Sequence, residues 1–269
     1  MDGPRRGDSC PLLASPSGAL PLVLVHGLAV SHRYLMPLAA ELAGHHPVHV
    51  VDLPGFGLSG DPGRVLGVAE HADHLAAWLE AGGLPPVAML GNSFGCQIAV
   101  ELAVRHPDRV AGLVLVGPTM DPSARTTPRQ ILRWLWDTVR EDPLRLPILL
   151  RDVRDAGPHR VVGTLGHALR DPIEAKLPPV KVPVLVTRGS SEPIVPSGWA
   201  QTVTRLLPLG ELPSCQVPTT PTTAPPTTSV SSSGCSSIDG RRPTAAKPTE
   251  RETLAPGSVL VSSLQAAAR

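Results

Sequence analysis

Five residues, Gly91-Asn92-Ser93-Phe94-Gly95, match the spacing G-x-S-x-G. An apolar run, "PVAMLGNS" (86–93), precedes them and an amphipathic run, about 95–106, follows. A serine at such a strand-to-helix turn is pushed out of the backbone, where its hydroxyl can attack an acyl carbon. Glycine on either side removes side chains that would clash across the turn. The helix start turns N–H groups and a positive dipole end toward the reacting centre. Ser93 is therefore the candidate nucleophile. The turn of a second strand end, His26-Gly27, leaves the N–H of Leu28 free to face Ser93. With the N–H of Phe94 it would hold the negative oxygen of a tetrahedral intermediate. His26 itself reads as structural, as do Gly27, Gly91 and Gly95. Glu192, in "RGSSEPIVP" (188–196), is the candidate acid that would orient a histidine. Asp52, in "DLPGFGLSG" (52–60), reads as the organiser of its own Gly/Pro turn.

These residues need a scaffold, and the apolar runs supply one. "LPLVLVHG" (20–27), "PVHVVDLPG" (47–55), "PVAMLGNS" (86–93), "GLVLVGPT" (112–119) and "VPVLVTRG" (182–189) are rich in Val and Leu without alternation. Such runs are strands covered on both faces. Amphipathic segments at about 33–44, 67–82 and 95–106 lie between the first four, which predicts an α/β fold with a mostly parallel sheet flanked by helices. Residues 121–178 have helical period and no intervening strand, so they are expected to form a helical lid over the sheet's carboxyl edge. Trp134 and Trp136 in it read as core. The expected organisation is an N-terminal segment (1–19), a first core part (20–120), the lid (121–178), a second core part (179–212) and a tail (213–269).

Bulk properties narrow the chemistry further. A net charge of +1 supplies no field to draw in nucleic acid or a membrane surface. No apolar run reaches the roughly 18 residues of a membrane helix. The first 19 residues lack the continuous apolar core of a secretory leader. The four cysteines, Cys10, Cys96, Cys215 and Cys235, form no CxxC pair, which argues against zinc or a disulfide framework. Reduced thiols in the cytoplasm, no metal, no organic cofactor and a small-molecule substrate are the expectations. With 42% apolar but only 3% aromatic residues, the core must be aliphatic.

His26-Gly27, Asp52-x-Pro54-Gly55-Phe56-Gly57-x-Ser59, Gly91-x-Ser93-x-Gly95 and Gly189-x-x-Glu192-x-x-x-Pro196 stand in the order and at the spacing of the α/β-hydrolase superfamily. The resemblance covers roughly 20–210. It implies an acyl-enzyme hydrolase with Ser93 as nucleophile, Leu28 and Phe94 as oxyanion donors and Glu192 as acid, a position where the family more often has Asp. "GNSFG" is most similar to the lidded branch that holds small esterases, lactonases and carbon–carbon bond hydrolases. Ser93 argues against the related dehalogenases and epoxide hydrolases, which use Asp.

One part of that machinery is absent. The family carries its histidine on a loop after the last strand, beyond the acid, whereas the last of this chain's ten histidines is His167. The departure falls where composition changes: 17 of the 24 residues 213–236 are Pro, Ser or Thr. Such a segment buries too little apolar surface to offset chain entropy and is expected to be disordered. An out-of-frame tail is the other reading. "SCQVPTT" (214–220), read one base earlier through GC-rich codons, yields Val/Leu, Val/Leu, Pro, Gly, Ala/Pro and then His/Asp twice, which would put a histidine in place of Thr220. Without a base the serine keeps its proton near neutral pH. Two functions thus stand side by side: a serine hydrolase impaired in this chain, and a ligand-binding protein of the same fold that has no catalysis.

Overall fold

The computed structural model of the chain describes residues 12–13, 19–119, 121, 146–187 and 196–212. Within them the strands are β1 (Leu12–Leu13), β2 (Leu22–Val25), β3 (Val48–Val51), β4 (Val87–Asn92), β5 (Val110–Val116), β6 (Val184–Thr187) and β7 (Gly210–Glu211). They form one seven-stranded sheet in the order β1-β3-β2-β4-β5-β6-β7. From β3 to β7 every pairing is parallel; only the edge strand β1 runs antiparallel to its neighbour. The five expected strands are all present, each shorter than its apolar run. β3 stops at Val51 because the carboxylate of Asp52 folds the next residues into a turn. β5 starts at Val110, two residues before the expected start, directly after the 3-10 turn Pro107–Arg109.

The sheet has apolar residues on both faces, as the unalternating runs require. Leu22, Leu24, Val48, Val50, Ala88 and Leu90 pack on one face, with Leu35, Ala39 and Leu42 of α1 (His32–Leu42). Val23, Val25, Val51, Val87 and Met89 pack on the other. That second face is covered by α2 (Val68–Ala81) and α3 (Phe94–Arg105), both close to their expected spans. Burial of aliphatic side chains at about 25 cal/mol per Å² is the main stabilising force here, and it fixes the strand ends that carry the turns.

Residues 146–176 are helical without an intervening strand: α4 (Leu146–Ala156), α5 (Pro158–Arg170) and α6 (Ile173–Lys176). A further helix, α7 (Ser197–Leu206), follows the position of Glu192 and buries Trp199, Ala200 and Val203. Trp134, Trp136, Glu192 and the tail from 213 lie outside the described residues. No helix among the described residues is long and apolar enough to cross a membrane.

Candidate active site

Ser93 stands between β4 and α3 with φ 53° and ψ −111°, a left-handed conformation that costs a residue with a Cβ about 1 kcal/mol or more. The neighbours hold it there. Its N–H donates to the carbonyl of Val116 at 2.9 Å, and its carbonyl accepts from the N–H of Cys96 at 3.0 Å. Gly91 and Gly95 are required by space: a Cβ on Gly91 would lie 2.5 Å from the Gly95 carbonyl oxygen, and one on Gly95 would overlap the Val25 carbonyl oxygen. The thiol of Cys96 donates to the Gly91 carbonyl at 3.1 Å and braces the same turn from inside. The side chain of Phe94 is buried, while Ser93 is half-exposed. The turn thus presents a hydroxyl and is not sealed in the core.

The second turn comes from β2. A Cβ on Gly27 would lie 3.3 Å from the Cβ of Ser93, so the two turns touch. Leu28 follows, half-buried, and then Ala29 at φ 64°, a second strained residue. Among the described residues, neither the N–H of Leu28 nor that of Phe94 has a hydrogen-bond acceptor. For Phe94 this is the ordinary consequence of being the first residue of a helix. For Leu28 it follows from the sharp turn at Gly27.

His26 is fully buried and uses both ring nitrogens: Nδ1 lies 2.7 Å from the Gly27 carbonyl oxygen, and the N–H of Leu53 donates to Nε2 at 3.1 Å. Burial lowers its pKa. Asp52 organises its turn as the sequence suggested. Its side chain accepts from the N–H of His32 at 2.7 Å and the N–H of Leu58 at 2.8 Å, and it lies 2.6 Å from His32 Nδ1. The hydroxyl of Ser59 donates to its carbonyl at 2.7 Å.

All ten histidines are among the described residues, and none hydrogen-bonds Ser93. His26, His32 and His46 are engaged as ring donors or acceptors elsewhere. His74 and His106 face Glu70 and Asp73. His71 is buried in α2 against Phe56 and Phe94, ring centroids 6.5 and 6.0 Å away, and neither nitrogen has a hydrogen-bond partner among the described residues. Desolvation holds its pKa at about 3.

Sequence reasoning missed the polar contacts between the helical segment and this edge. Arg33, at the start of α1, pairs with Asp152 of α4 at 2.6 Å. Arg160 of α5 lies against Gly55, donates to the Arg64 carbonyl at 2.8 Å and pairs with Asp61. A buried acid on a helix read only by its apolar period leaves no local signal. Among the described residues no cluster of three or more His, Cys, Asp or Glu is placed to hold a metal ion.

The parallel sheet, the serine turn after β4 and the glycine turn after β2 define a protein of the α/β-hydrolase fold. Residues 21–151 match the family described as "alpha/beta hydrolase fold". It is 40% identical over 104 residues to 2-hydroxy-6-oxo-2,4-heptadienoate hydrolase of Pseudomonas putida, 36% of this chain and 37% of that protein. Over 115 residues it is 32% identical to a human (lyso)-N-acylphosphatidylethanolamine lipase, 41% of this chain and 34% of the lipase. The matched segment thus spans about a third of these relatives' length. Among solved structures, the enol-lactonase of Burkholderia xenovorans superposes with a TM-score of 0.64 at 18% identity, over 76% of this chain and 86% of that one. A thermophilic esterase of Thermogutta terrifontis superposes with 0.64 at 23% identity, over 76% and 82%. These likenesses are of fold.

Proposed function

We propose that the chain is a serine hydrolase whose nucleophile is Ser93, impaired here because none of its histidines hydrogen-bonds that serine. It acts through an acyl-enzyme on a small, largely apolar ester or related carbonyl substrate. Ser93 Oγ attacks the carbonyl carbon as its proton passes to solvent, and the N–H groups of Leu28 and Phe94 take the oxyanion; the carbonyl re-forms as the bond to the alkoxide or enolate breaks, and that leaving group takes a proton from water. A second water then adds to the acyl carbon, the bond to Ser93 Oγ breaks, the acid is released and Ser93 regains its proton. Glu192 is the candidate acid partner, residues 121–178 are the candidate lid, and the setting is cytoplasmic. No metal or organic cofactor enters any of these steps. The relatives named as hydrolase, lipase, esterase and lactonase support the reaction class. The observation that carries the reading is Ser93 itself: a half-buried serine on a strained turn, near two amides that have no acceptor among the described residues.

The second reading, a binding protein of the same fold, is favoured by one observation: none of the ten histidines, all described, hydrogen-bonds Ser93. Loss of the base removes several powers of ten in rate and leaves oxyanion and binding contributions. A fluorophosphonate decides between them. The Ser93 Oγ–P bond forms as fluoride departs and the hydroxyl proton passes to solvent. Labelling of wild type but not of Ser93→Ala is the result expected of the hydrolase. Absence of labelling in both, in folded protein, supports the binding protein.

A further inference from the structure

Gly27 and Leu28 share one peptide unit, and its orientation is set by a side chain. In a trans peptide the C=O and the following N–H point in opposite directions. The Gly27 carbonyl is held 2.7 Å from Nδ1 of His26, so the Leu28 N–H is held pointing away from that ring. The serine turn lies against this segment: Asn92 Oδ1 and Ser93 Cβ come within 3.1 and 3.3 Å of where a Gly27 Cβ would be. The partners also dictate the tautomer. A carbonyl can only accept, so Nδ1 carries the hydrogen. The N–H of Leu53 can only donate, so Nε2 is bare.

We propose that His26 is the positioning residue of the oxyanion donor: as the neutral Nδ1–H tautomer, anchored by the Leu53 N–H, it locks the Gly27–Leu28 peptide so that the Leu28 amide faces Ser93. This rests on the hydrolase reading for its consequence, but not for its geometry. The strained backbone at Ala29, φ 64°, is what the chain accepts to leave the lock and enter α1. A protonated ring would turn Nε2 from acceptor to donor against the Leu53 N–H and break the anchor. Facing the ring are Asp52, with Oδ1 3.9 Å from Nε2, Asp152 of α4, His32 of α1 and His71 of α2. Burial outweighs the two carboxylates, so the neutral form persists below the usual histidine range.

His26→Phe keeps a ring beside Phe56, 5.6 Å away between centroids, and removes both bonds. His26→Asn places an amide N–H where Nδ1–H stands. The rate of Ser93 labelling by a fluorophosphonate, per folded molecule, is expected to fall about 100-fold in His26→Phe, the size of losing one oxyanion donor. In His26→Asn most of it should return. Equal rates in all three folded proteins would reduce His26 to a packing residue and overturn the proposal. Ring nitrogen NMR of the unmodified chain gives a readout that does not need a reactive serine. The bare nitrogen is expected to be Nε2, with no titration as the pH falls through the ordinary histidine range. An Nε2–H tautomer sinks the positioning role whatever Ser93 does. The expected spectrum with no labelling of wild type leaves the lock standing and removes the hydrolase.

Discussion

Arg33 Nη1 lies 2.6 Å from Asp152 Oδ1, an ion pair between residues 119 positions apart that ties α4 to the start of α1. The carboxylate is 2% exposed and its second oxygen has no hydrogen-bond partner among the described residues. Breaking such a pair strands a buried charge, which costs far more than the pair contributes. Arg33→Met is therefore expected to lower stability by about 3 kcal/mol. Adding Asp152→Leu removes the stranded charge and should restore most of the loss. Urea midpoints of the wild type, the single and the double variant check this; a double variant no better than the single one would show that packing, not charge, is at stake.

Gly27→Ala separates the site from the fold. The backbone at Gly27 suits any residue, so the new methyl presses on Asn92 Oδ1 at 3.1 Å and Ser93 Cβ at 3.3 Å, with the Asn92 carbonyl oxygen at an ordinary 3.4 Å. The first two contacts are a few tenths of an ångström too close. Stability should change by less than about 1 kcal/mol. Displacement of the serine should slow fluorophosphonate labelling about tenfold or more, since small misplacements of reacting groups are costly. Thermal melts and labelling kinetics on one preparation test both halves; unchanged labelling would mean that the two turns do not form one site.

Much of this was legible in the letters. The five apolar runs, the three helices between them and the Ser93 turn all depend on local signals: β-branched composition, amphipathic period and glycine placement. β1 and β7 were not legible, because two residues carry no periodicity and their pairing is decided by neighbours far along the chain. Strand ends shifted for the same reason; Val51 ends β3 because Asp52 bonds to His32, twenty residues upstream. The burial of His71 was equally hidden. Its position in α2 follows the helical period, but only the packed structure brings it against Phe56 and Phe94, the chain's two phenylalanines.

His71 makes the fold acid-sensitive. Its pKa falls from the ordinary 6.5 to about 3 in the folded state, chiefly because burial disfavours the charged ring. The unfolded chain takes up a proton at 6.5 and the folded chain does not. Stability from this group is therefore full above pH 6.5 and declines as pH falls toward 3, by about 1.4 kcal/mol per unit. His26, also lowered by burial, adds in the same direction. His71→Leu also removes two nitrogens without partners. It is expected to be more stable than wild type at acid pH, with the gain shrinking toward neutrality. Chemical denaturation at several pH values measures it; parallel curves for the two proteins would contradict a neutral buried imidazole.

The absence of a histidine at Ser93 has a kinetic signature of its own. A serine paired with an imidazole reacts along a curve that levels off above the base's pKa. A lone hydroxyl has a pKa far above neutrality, so its reaction must climb with hydroxide without levelling near pH 7. None of the ten histidines, all described, hydrogen-bonds Ser93. The rate of fluorophosphonate labelling should therefore rise steadily from about pH 6 to about pH 9. Because Ser93 is half-exposed, a small external base can reach it, and added imidazole should accelerate labelling in proportion to its concentration. A plateau near neutral pH together with indifference to imidazole would mean that another group of this chain already takes the proton. Acceleration by imidazole would instead locate the defect at the base alone and leave the serine turn and its amides intact.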